Sequence, residues 1–492
     1  MTVENFLNGD ITLHPYSGPT LFLQALIGMF FSMFFGISHL PVLTLFMACV
    51  VFYIFGIILV EFLNLKFTNA VLAGLLFFLN PLFIYEIWGF MTNHYFLVFF
   101  LLSFYFLLKY QRDSTVSYLI LYVVLAFFAL LIRQVVMALP LSVAIFYTIE
   151  FLKNRENRTT IRLAFLNLLV FLAFYAFYKF IFPLTPRMTE VPLQFHHLAD
   201  FDYSFALIYG TLIVLSAYTL PLIFNILDFG KLRESFNSET KVQILTAFLL
   251  FFIASGVLYS SANKLFKPEE ISWGEFPYFE NVVERTGFFP RGIHGTKYYF
   301  AGSFDLWKYW DIAGKITLVL AVVYILRFKL ANNIFSSFIG TYLMAMVVTE
   351  TYYDRYILLL VPVLILYLIS ISGEFRRVTK FLLLIFIIFL GFLNYLFSAD
   401  FLLVNEYVWN RSEELVQQTG AEPSQVLGTN AWKMTFRNRN RDYLYNFSYD
   451  NQEVNEDYRN NYTLVETKRI EYPVNIFVEP NIYLYKLNYE QH

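Results

Sequence analysis

The sequence predicts a polytopic α-helical membrane protein of about 12 spans with a small C-terminal extracytoplasmic α/β domain. Of the 492 residues, 58% are hydrophobic and only 15% are charged, whereas soluble domains average roughly 45–50% apolar and about 25% charged residues. The residues after 397 are instead polar and charged. A net charge of −2 gives no global basicity that would favour nucleic acid. The single cysteine, Cys49, excludes an intramolecular disulfide and a thiolate metal cluster.

Apolar runs, each near the ~20 residues that a bilayer requires, follow one another from residue 41 onwards. We predict spans at 41–63, 68–86, 95–109, 115–132, 135–152, 162–183, 204–227, 242–262, 311–327, 333–350, 355–372 and 379–397. Every second connecting loop is rich in Lys and Arg, and the other short loops carry almost none. By the positive-inside rule the basic loops are cytoplasmic. The sequence therefore predicts a multi-pass protein of the inner (plasma) membrane with its C-terminus outside the cytoplasm.

The same rule places the N-terminal residues on the outer face. Residues 1–40 form the predicted first extracytoplasmic loop, with an interfacial helix over 19–36 that ends at Gly36. An outer N-terminus without a signal peptide predicts that one preceding span is missing from this reading frame, with a true out-facing start as the alternative.

The predicted transmembrane core is 41–397, with a long outer loop at 263–310, and the α/β domain is 398–492. In that domain we predict a helix over 406–419 that ends at Gly420. Alternating apolar residues predict strands at 475–479 and 482–487.

An ionisable cluster, Glu350-Thr-Tyr-Tyr-Asp-Arg-Tyr356, lies between two apolar runs. Charges at that depth are costly unless they are paired or functional. In one interpretation Asp354 and Arg355 neutralise partners, and the tyrosines belong to an interfacial belt. In the other, Arg355 binds an anionic group, for which a phosphate suits the guanidinium fork.

Other polar side chains also collect on the predicted outer face. The catalytic candidates are Asp10, Asn93 and His94; the candidates for binding a donor phosphate are Arg355, Arg133 and Tyr352; the candidates for positioning an acceptor or a loop are His14, Tyr16, Glu86 and Asp354. Plainer roles are open for them: the histidines are interfacial hydrogen-bonding groups, Arg133 anchors a helix end by snorkelling, and the acids of the long loop form a solvated surface. The histidines are scattered, and neither a metal-binding nor a nucleotide-binding motif occurs. We therefore predict no metal and assign no cofactor. Carboxylates that can remove a proton and an arginine that can bind phosphate, on one outer face, suit a lipid-phosphate-linked group as the donor substrate.

Four short segments resemble the GT-C membrane glycosyltransferases, in particular glycosyltransferase family 39 with its protein O-mannosyltransferases and lipid A aminoarabinose transferases. They are Leu13-His-Pro-Tyr-Ser-Gly-Pro-Thr-Leu21, Phe90-Met-Thr-Asn-His94, Ile132-Arg-Gln134 and Asp354-Arg-Tyr-Ile-Leu-Leu-Leu-Val-Pro362. The resemblance spans roughly residues 1–400, and its specificity comes from the order, spacing and common sidedness of the segments.

This resemblance implies a fold of 13 spans with the N-terminus inside, a polyprenyl-phosphate-linked sugar as donor, and an acidic residue of the first outer loop as the base. Two departures stand out. The family's acid lies ahead of the region where this sequence begins, and the position after Met-Thr that is often acidic is Asn93 here. Asp10 is the nearest acid, but it aligns with no catalytic position of the family.

The leading hypothesis is a glycosyltransferase that moves a sugar from a polyprenyl-phosphate-linked donor to a periplasmic or cell-surface glycan, lipid or protein. A transporter or flippase of lipid-linked sugars is the first alternative, and a catalytically inactive membrane protein is the second. Transporters often have repeated halves or Gly/Pro-broken helices in matching positions, and the sequence predicts neither.

Overall fold

A computed structural model describes residues 2–13, 21–181, 195–227, 306–328, 333–348, 354–436, 443–448, 461–474 and 481–488. The described chain is mostly helical, with a small C-terminal sheet. It divides into two compact units, one of Met1–Asn281 with Trp310–Ile388 and the other of Val282–Tyr309 with Phe389–His492.

The described part of the first unit is helical. Its helices are α1 (Thr2–Leu7), α2 (Phe22–Phe35), α3 (Leu40–Glu61), α4 (Phe67–Phe78), α5 (Pro81–Tyr85), α6 (Thr92–Asp113), α7 (Val116–Leu130), α8 (Ala138–Lys153), α9 (Arg158–Ala176), α10 (Phe201–Tyr218), α11 (Leu220–Ile226), α12 (Leu306–Phe328), α13 (Ile334–Val347) and α14 (Leu360–Ser372). Short 3₁₀ turns lie at Ile37–His39, Glu86–Trp88, Gln134–Met137, Phe195–Leu198 and Asp354–Leu359, and a π turn lies at Phe177–Ile181. As predicted, helix α2 ends before Gly36, which has a φ of 82°.

Among the described residues, 5 helices are long and apolar enough to cross a membrane, or up to 7 if each of two bent pairs is one span. Shorter apolar helices lie at Phe22–Phe35, Val116–Leu130, Ile312–Val322, Ile334–Val347 and Tyr356–Ser372. The helical membrane class is therefore confirmed, while the number of about 12 spans stays a prediction. The predicted span 242–262 and all of the predicted loop 263–310 before Leu306 lie outside the described residues.

Two predicted spans are broken helices rather than continuous ones. Phe67–Phe78 and Pro81–Trp88 meet at 62°, and Leu207–Tyr218 and Leu220–Ile226 meet at 84°. A proline lies in the first turn after each break, where its missing N–H costs nothing but prevents a continuous helix. The prediction of continuous spans at 68–86 and 204–227 is therefore wrong.

The turn between α14 and the following helix contacts one end of each bent pair. The carboxylate of Glu374 accepts a hydrogen bond from the backbone N–H of Lys66 (3.0 Å) and another from the amide of Asn69, at the start of α4. The guanidinium of Arg376 donates to the carbonyl oxygens of Asn225 and Leu227 at the end of α11. These bonds satisfy backbone groups that helix ends leave unpaired.

The predicted span 379–397 and the predicted helix 406–419 form one helix, α15 (Arg377–Thr419). The prediction of two separate helices was wrong because residues 398–405 contain neither Pro nor Gly, so no residue interrupts the hydrogen-bond ladder. The predicted domain boundary at 398 falls inside this helix, whereas the division into compact units falls at Ile388. The predicted end is confirmed: Gly420 has a φ of 69°, which suits a helix C-terminus.

The second unit contains the sheet. After α15 come a 3₁₀ turn (Pro423–Gln425), β1 (Val426–Leu427), α16 (Asn430–Phe436), β2 (Tyr445–Ser448), β3 (Tyr462–Arg469) and β4 (Asn481–Leu487), in the strand order β1-β2-β4-β3. β1 pairs parallel with β2, and β4 pairs antiparallel with β2 and β3. Strand β4 confirms the strand predicted at 482–487, and the other predicted strand, 475–479, lies outside the described residues. The core of this unit includes Val404, Val408, Trp432, Phe447 and Leu484.

Candidate functional site

Three polar side chains from separate turns of the first unit form a hydrogen-bonded network. The side-chain amide of Asn93 donates to Oε1 of Glu86, and its carbonyl oxygen accepts a hydrogen bond from Nη1 of Arg133. We call these three residues the Glu–Asn–Arg network. The amide of Asn93 thus links the carboxylate of Glu86 to the guanidinium of Arg133. Its nitrogen faces Glu86 and its oxygen faces Arg133.

The local fold brings the three residues together. Asn80 caps α5 by accepting from the N–H of Leu82 (3.0 Å), and the chain then turns through Glu86–Trp88 before α6 begins at Thr92. Glu86 and Asn93 therefore lie on either side of one turn. Arg133 follows α7, where its backbone N–H donates to the carbonyl of Ala129 (2.8 Å) and the chain becomes extended.

The network is largely removed from solvent. Glu86 is 2% exposed and Asn93 is 3% exposed, while Arg133 is half-buried. An ionised side chain among apolar helices is costly unless it is paired or hydrogen-bonded. The opposite charges of Glu86 and Arg133 offset each other through the amide that they share.

Arg133 also lies over an aromatic ring. Its guanidinium carbon is 5.0 Å from the ring centroid of Tyr356, a cation–π geometry. The hydroxyl of Tyr342, on α13, donates to the backbone carbonyl of Tyr356 (3.0 Å). Because that bond fixes the backbone that carries the ring, α13 helps to set the position of the guanidinium.

A small cleft, partly open to solvent, lies beside the guanidinium. It is lined by Asn93, Phe96, Leu97, Arg133, Val135, Tyr342, Tyr356, Leu358 and Leu359. No carboxylate is among these lining residues. One cation among aromatic and aliphatic walls suits a ligand that joins an anionic group to an apolar one.

Helix α2 packs against both turns that carry the network. Nε2 of Gln24 donates to the carbonyl of Phe90 (3.2 Å), and the backbone N–H of Leu23 donates to the carbonyl of Leu131 (3.1 Å). The contact is close, since a Cβ on Gly28 would lie 2.6 Å from the Phe90 ring. The helix predicted to be interfacial therefore supports the loops on either side of the cleft.

Of the predicted site residues, the structure brings together Glu86, Asn93 and Arg133. His94 is fully buried, with its ring centroid 4.4 Å from that of Phe83, and it does not line the cleft.

Asp10 is exposed in a turn after α1, where its Oδ1 accepts from the backbone N–H of Thr12 (3.0 Å). Hydrogen bonds from Thr12 hold the pKa of this carboxyl below its usual value, so Asp10 is ionised at neutral pH. No hydrogen bond or ion pair within the described chain joins Asp10 to the network.

The remaining predicted residues lie at the edge of what the structure describes. Asp354 and Arg355 open the 3₁₀ turn Asp354–Leu359, which places their backbone next to Tyr356, but their side chains lie outside the described part. The predicted residues His14, Tyr16 and Tyr352 lie wholly outside it.

Sequence reasoning did not select Tyr342 or Gln24, and it assigned Tyr356 to the ionisable cluster only. A hydroxyl or amide side chain within an apolar helix is the signal that could have pointed to Tyr342 and Gln24, since a buried polar group needs a partner. Among the described residues, no group of three or more His, Cys, Asp or Glu side chains could hold a metal ion.

The fold and the site together define a class: a helical protein with several helices long and apolar enough to cross a membrane, and with a largely buried Glu–Asn–Arg network beside a small aromatic cleft. Comparison with protein-family models, with curated proteins and with solved structures finds no match to this chain.

Proposed function

We propose that this protein is an integral membrane glycosyltransferase that uses a polyprenyl-phosphate-linked sugar. The observation that supports this most is the position of Arg133, a half-buried cation on an aromatic and aliphatic cleft whose only described side-chain hydrogen bond is to a neutral amide. A guanidinium has five N–H donors, and among the described residues the hydrogen bond to Asn93 engages one nitrogen, Nη1.

A polyprenyl phosphate has an anionic part and an apolar part, which match the cation and the apolar walls of the cleft. Its phosphate oxygens would accept hydrogen bonds from Arg133, as guanidinium groups bind phosphates in paired fashion. Its isoprenoid chain would lie against the apolar helices. The backbone of Arg355 adjoins Tyr356, which itself contacts Arg133, and we assign Arg355 as a second cation for the phosphate, with Tyr352 and Asp354 close by in the chain.

In the proposed reaction a hydroxyl of the acceptor loses its proton to a base, and its oxygen forms a bond to the anomeric carbon of the sugar. The bond from that carbon to the phosphate oxygen breaks, and polyprenyl phosphate leaves with the electron pair. Arg133 stabilises the charge that develops on the leaving phosphate. Asp10, ionised and exposed, is the proposed base; the burial of His94 disfavours it in that role.

The membrane setting of this proposal is a GT-C-like fold of about 12 spans in the inner membrane. The first loop with its interfacial helix, the long loop and the C-terminal domain would all lie on the outer face, where the acceptor is a glycan, a lipid or a protein. His14 and Tyr16, in the first loop, would help to position that acceptor.

The test is sugar transfer by the full chain in membranes, with a panel of radiolabelled polyprenyl-phosphate sugars and the variants Arg133→Ala and Arg162→Ala. Arg162 is an exposed arginine of α9 and serves as the matched control. We expect Arg133→Ala to lower transfer about 100-fold or more, with Arg162→Ala at the wild-type rate. Equal rates for the two variants would contradict the proposed role of Arg133.

The two bent helix pairs favour a second candidate, a transporter or flippase of lipid-linked sugars. Broken helices are frequent in transporters, where the ends of half-helices line binding sites. Proteoliposomes that contain the purified protein separate the two functions. Movement of a fluorescent polyprenyl-phosphate sugar between leaflets without bond cleavage would support transport, and release of polyprenyl phosphate with a glycosylated acceptor would support transfer.

A further inference from the structure

The amide of Asn93 separates two opposite charges that could otherwise pair directly. On one side it donates to the Glu86 carboxylate, and on the other it accepts from the Arg133 guanidinium. Glu86 and Asn93 are almost fully buried. In such surroundings a direct ion pair would be much stronger than in water.

A direct pair between Glu86 and Arg133 would weaken any anion site at the cleft. Carboxylate and guanidinium groups commonly join through two parallel hydrogen bonds, which would occupy the donors of Arg133 and cancel its charge. The amide occupies a single nitrogen, Nη1, and brings no charge of its own. Glu86 still lowers the cost of burying the cation, but from beyond contact distance.

An amide is the side chain that can make both bonds at once. Its NH₂ donates to a carboxylate and its carbonyl accepts from a guanidinium. An aspartate at position 93 could not donate to Glu86 when ionised, and it would place a second carboxylate directly against Arg133. An apolar side chain could make neither bond.

We propose that Asn93 is a positioning residue that keeps Arg133 available as an anion-binding cation by holding it apart from Glu86. The anion in question rests on the proposed function, since it is the phosphate of the lipid-linked donor. The separation of the charges does not depend on that function, and the two can be tested independently.

The first measurement is the rate at which p-hydroxyphenylglyoxal modifies Arg133, followed by peptide mass spectrometry in detergent, with Arg162 as the internal reference. The reagent attacks the neutral guanidine, so a contacting carboxylate that stabilises the guanidinium slows the reaction. We expect Asn93→Asp to slow modification of Arg133 about tenfold and Glu86→Gln to accelerate it, since that change removes a nearby negative charge. A rate for Asn93→Asp equal to that of the wild type would overturn the proposal.

The double variant Glu86→Gln/Asn93→Asp covers the case in which Asn93→Asp does not fold, as judged by size-exclusion chromatography. There the new amide donates to the new carboxylate, which still contacts Arg133, so the network keeps its hydrogen bonds. We expect this double variant also to react about tenfold more slowly than the wild type. A wild-type rate in the folded double variant would also contradict the proposal.

The second measurement uses farnesyl phosphate as a protecting ligand in the same reaction. We expect it to protect Arg133 in the wild type, and to protect it at least tenfold less well in Asn93→Asp. Slow modification in Asn93→Asp, with no protection and no sugar transfer by the wild type, would refute the proposed function and support the role of Asn93. Equal protection of Arg133 in the wild type and in Asn93→Asp would refute the role of Asn93. The proposed phosphate site would not be affected by that result.

Discussion

Arg133 lies over the ring of Tyr356, with its guanidinium carbon 5.0 Å from the ring centroid. Tyr356 is held in turn by the Tyr342 hydroxyl, which donates to its backbone carbonyl. The cation is therefore supported on one side by the amide of Asn93 and on another by an aromatic face whose backbone is fixed. A preorganised cation of this kind loses little entropy when it binds an anion.

The contribution of the ring can be measured by replacing Tyr356. A cation–π contact with a partly desolvated guanidinium contributes about 0.5–2 kcal/mol, so we expect Tyr356→Leu to weaken protection by farnesyl phosphate roughly 2- to 30-fold. Tyr356→Phe keeps a π face and should bind within about twofold of the wild type. Tyr53→Leu, at a tyrosine that is 69% exposed, is the control. Binding by Tyr356→Leu at the level of that control would show that the ring does not support the cation.

The assignment of Arg355 leads to a second prediction. We expect Arg355→Ala to abolish sugar transfer, because the phosphate would lose a paired donor next to Tyr356. Arg376→Ala should retain transfer in properly folded protein. Since Arg376 holds the end of α11, the exposed neighbour Arg377 is the cleaner control. Comparable losses in Arg355→Ala and Arg377→Ala would mean that Arg355 has no special contact with the donor.

The turn between α14 and α15, which contacts both bent helix pairs, leads to a prediction about stability. Glu374→Ala removes the acceptor for the Lys66 N–H and leaves the buried amide of Asn69 without this bond. We expect a loss of about 1–3 kcal/mol, seen as a lower Tm in detergent. Arg377→Ala, one turn away and exposed, should unfold at the wild-type temperature. An unchanged Tm for Glu374→Ala would show that the turn does not hold α4.

The close packing of α2 on the Phe90 turn can be tested with one methyl group. A Cβ on Gly28 would lie 2.6 Å from the Phe90 ring, whereas a Cβ on Gly56 of α3 would meet nothing within 4 Å. Overpacking of this kind costs about 1–3 kcal/mol. We therefore expect Gly28→Ala to lower the Tm and weaken protection of Arg133, and Gly56→Ala to do neither. A larger loss of Tm for Gly56→Ala than for Gly28→Ala would contradict the close contact between α2 and the Phe90 ring.

The topology is tested by reporters at the C-terminus. An alkaline phosphatase fused after His492 should be active, and a green fluorescent protein at the same point should be dark, because the positive-inside rule predicts that this end lies outside the cytoplasm. A fusion within the basic segment 153–158 is the control and should give the reverse pattern. A cytoplasmic C-terminus would contradict the prediction that the first loop, the long loop and the tail lie on the same face of the membrane.

Much of the helical pattern could be predicted from the sequence because hydropathy and helix-ending residues act locally. Gly36 and Gly420 end helices where expected, and β4 lies where the apolar residues alternate. The breaks near Asn80 and Thr219 were missed because apolar runs of this length are read as continuous spans, and one proline or polar cap adds little to a hydropathy average. The long helix α15 was missed because its change from apolar to polar composition resembles a boundary although the backbone continues.

The site was predictable in its parts but not in its assembly. The sequence indicates as candidates three polar residues between apolar runs, namely Glu86, Asn93 and Arg133. Their connection depends on the relative placement of α5, α6 and α7, which no local pattern specifies. The burial of His94 against Phe83 likewise depends on how α5 packs against the start of α6, so this catalytic candidate is buried.

The most direct test of the central claim is transfer of radiolabelled sugar from polyprenyl phosphate to an endogenous acceptor in membranes that contain the wild type, Arg133→Ala or Arg162→Ala. The glycosyltransferase account predicts a labelled product and free polyprenyl phosphate with the wild type and Arg162→Ala, and about 100-fold less of both with Arg133→Ala. No product from any donor of the panel with well-expressed wild-type protein, or product formation that Arg133→Ala leaves unchanged, would contradict it.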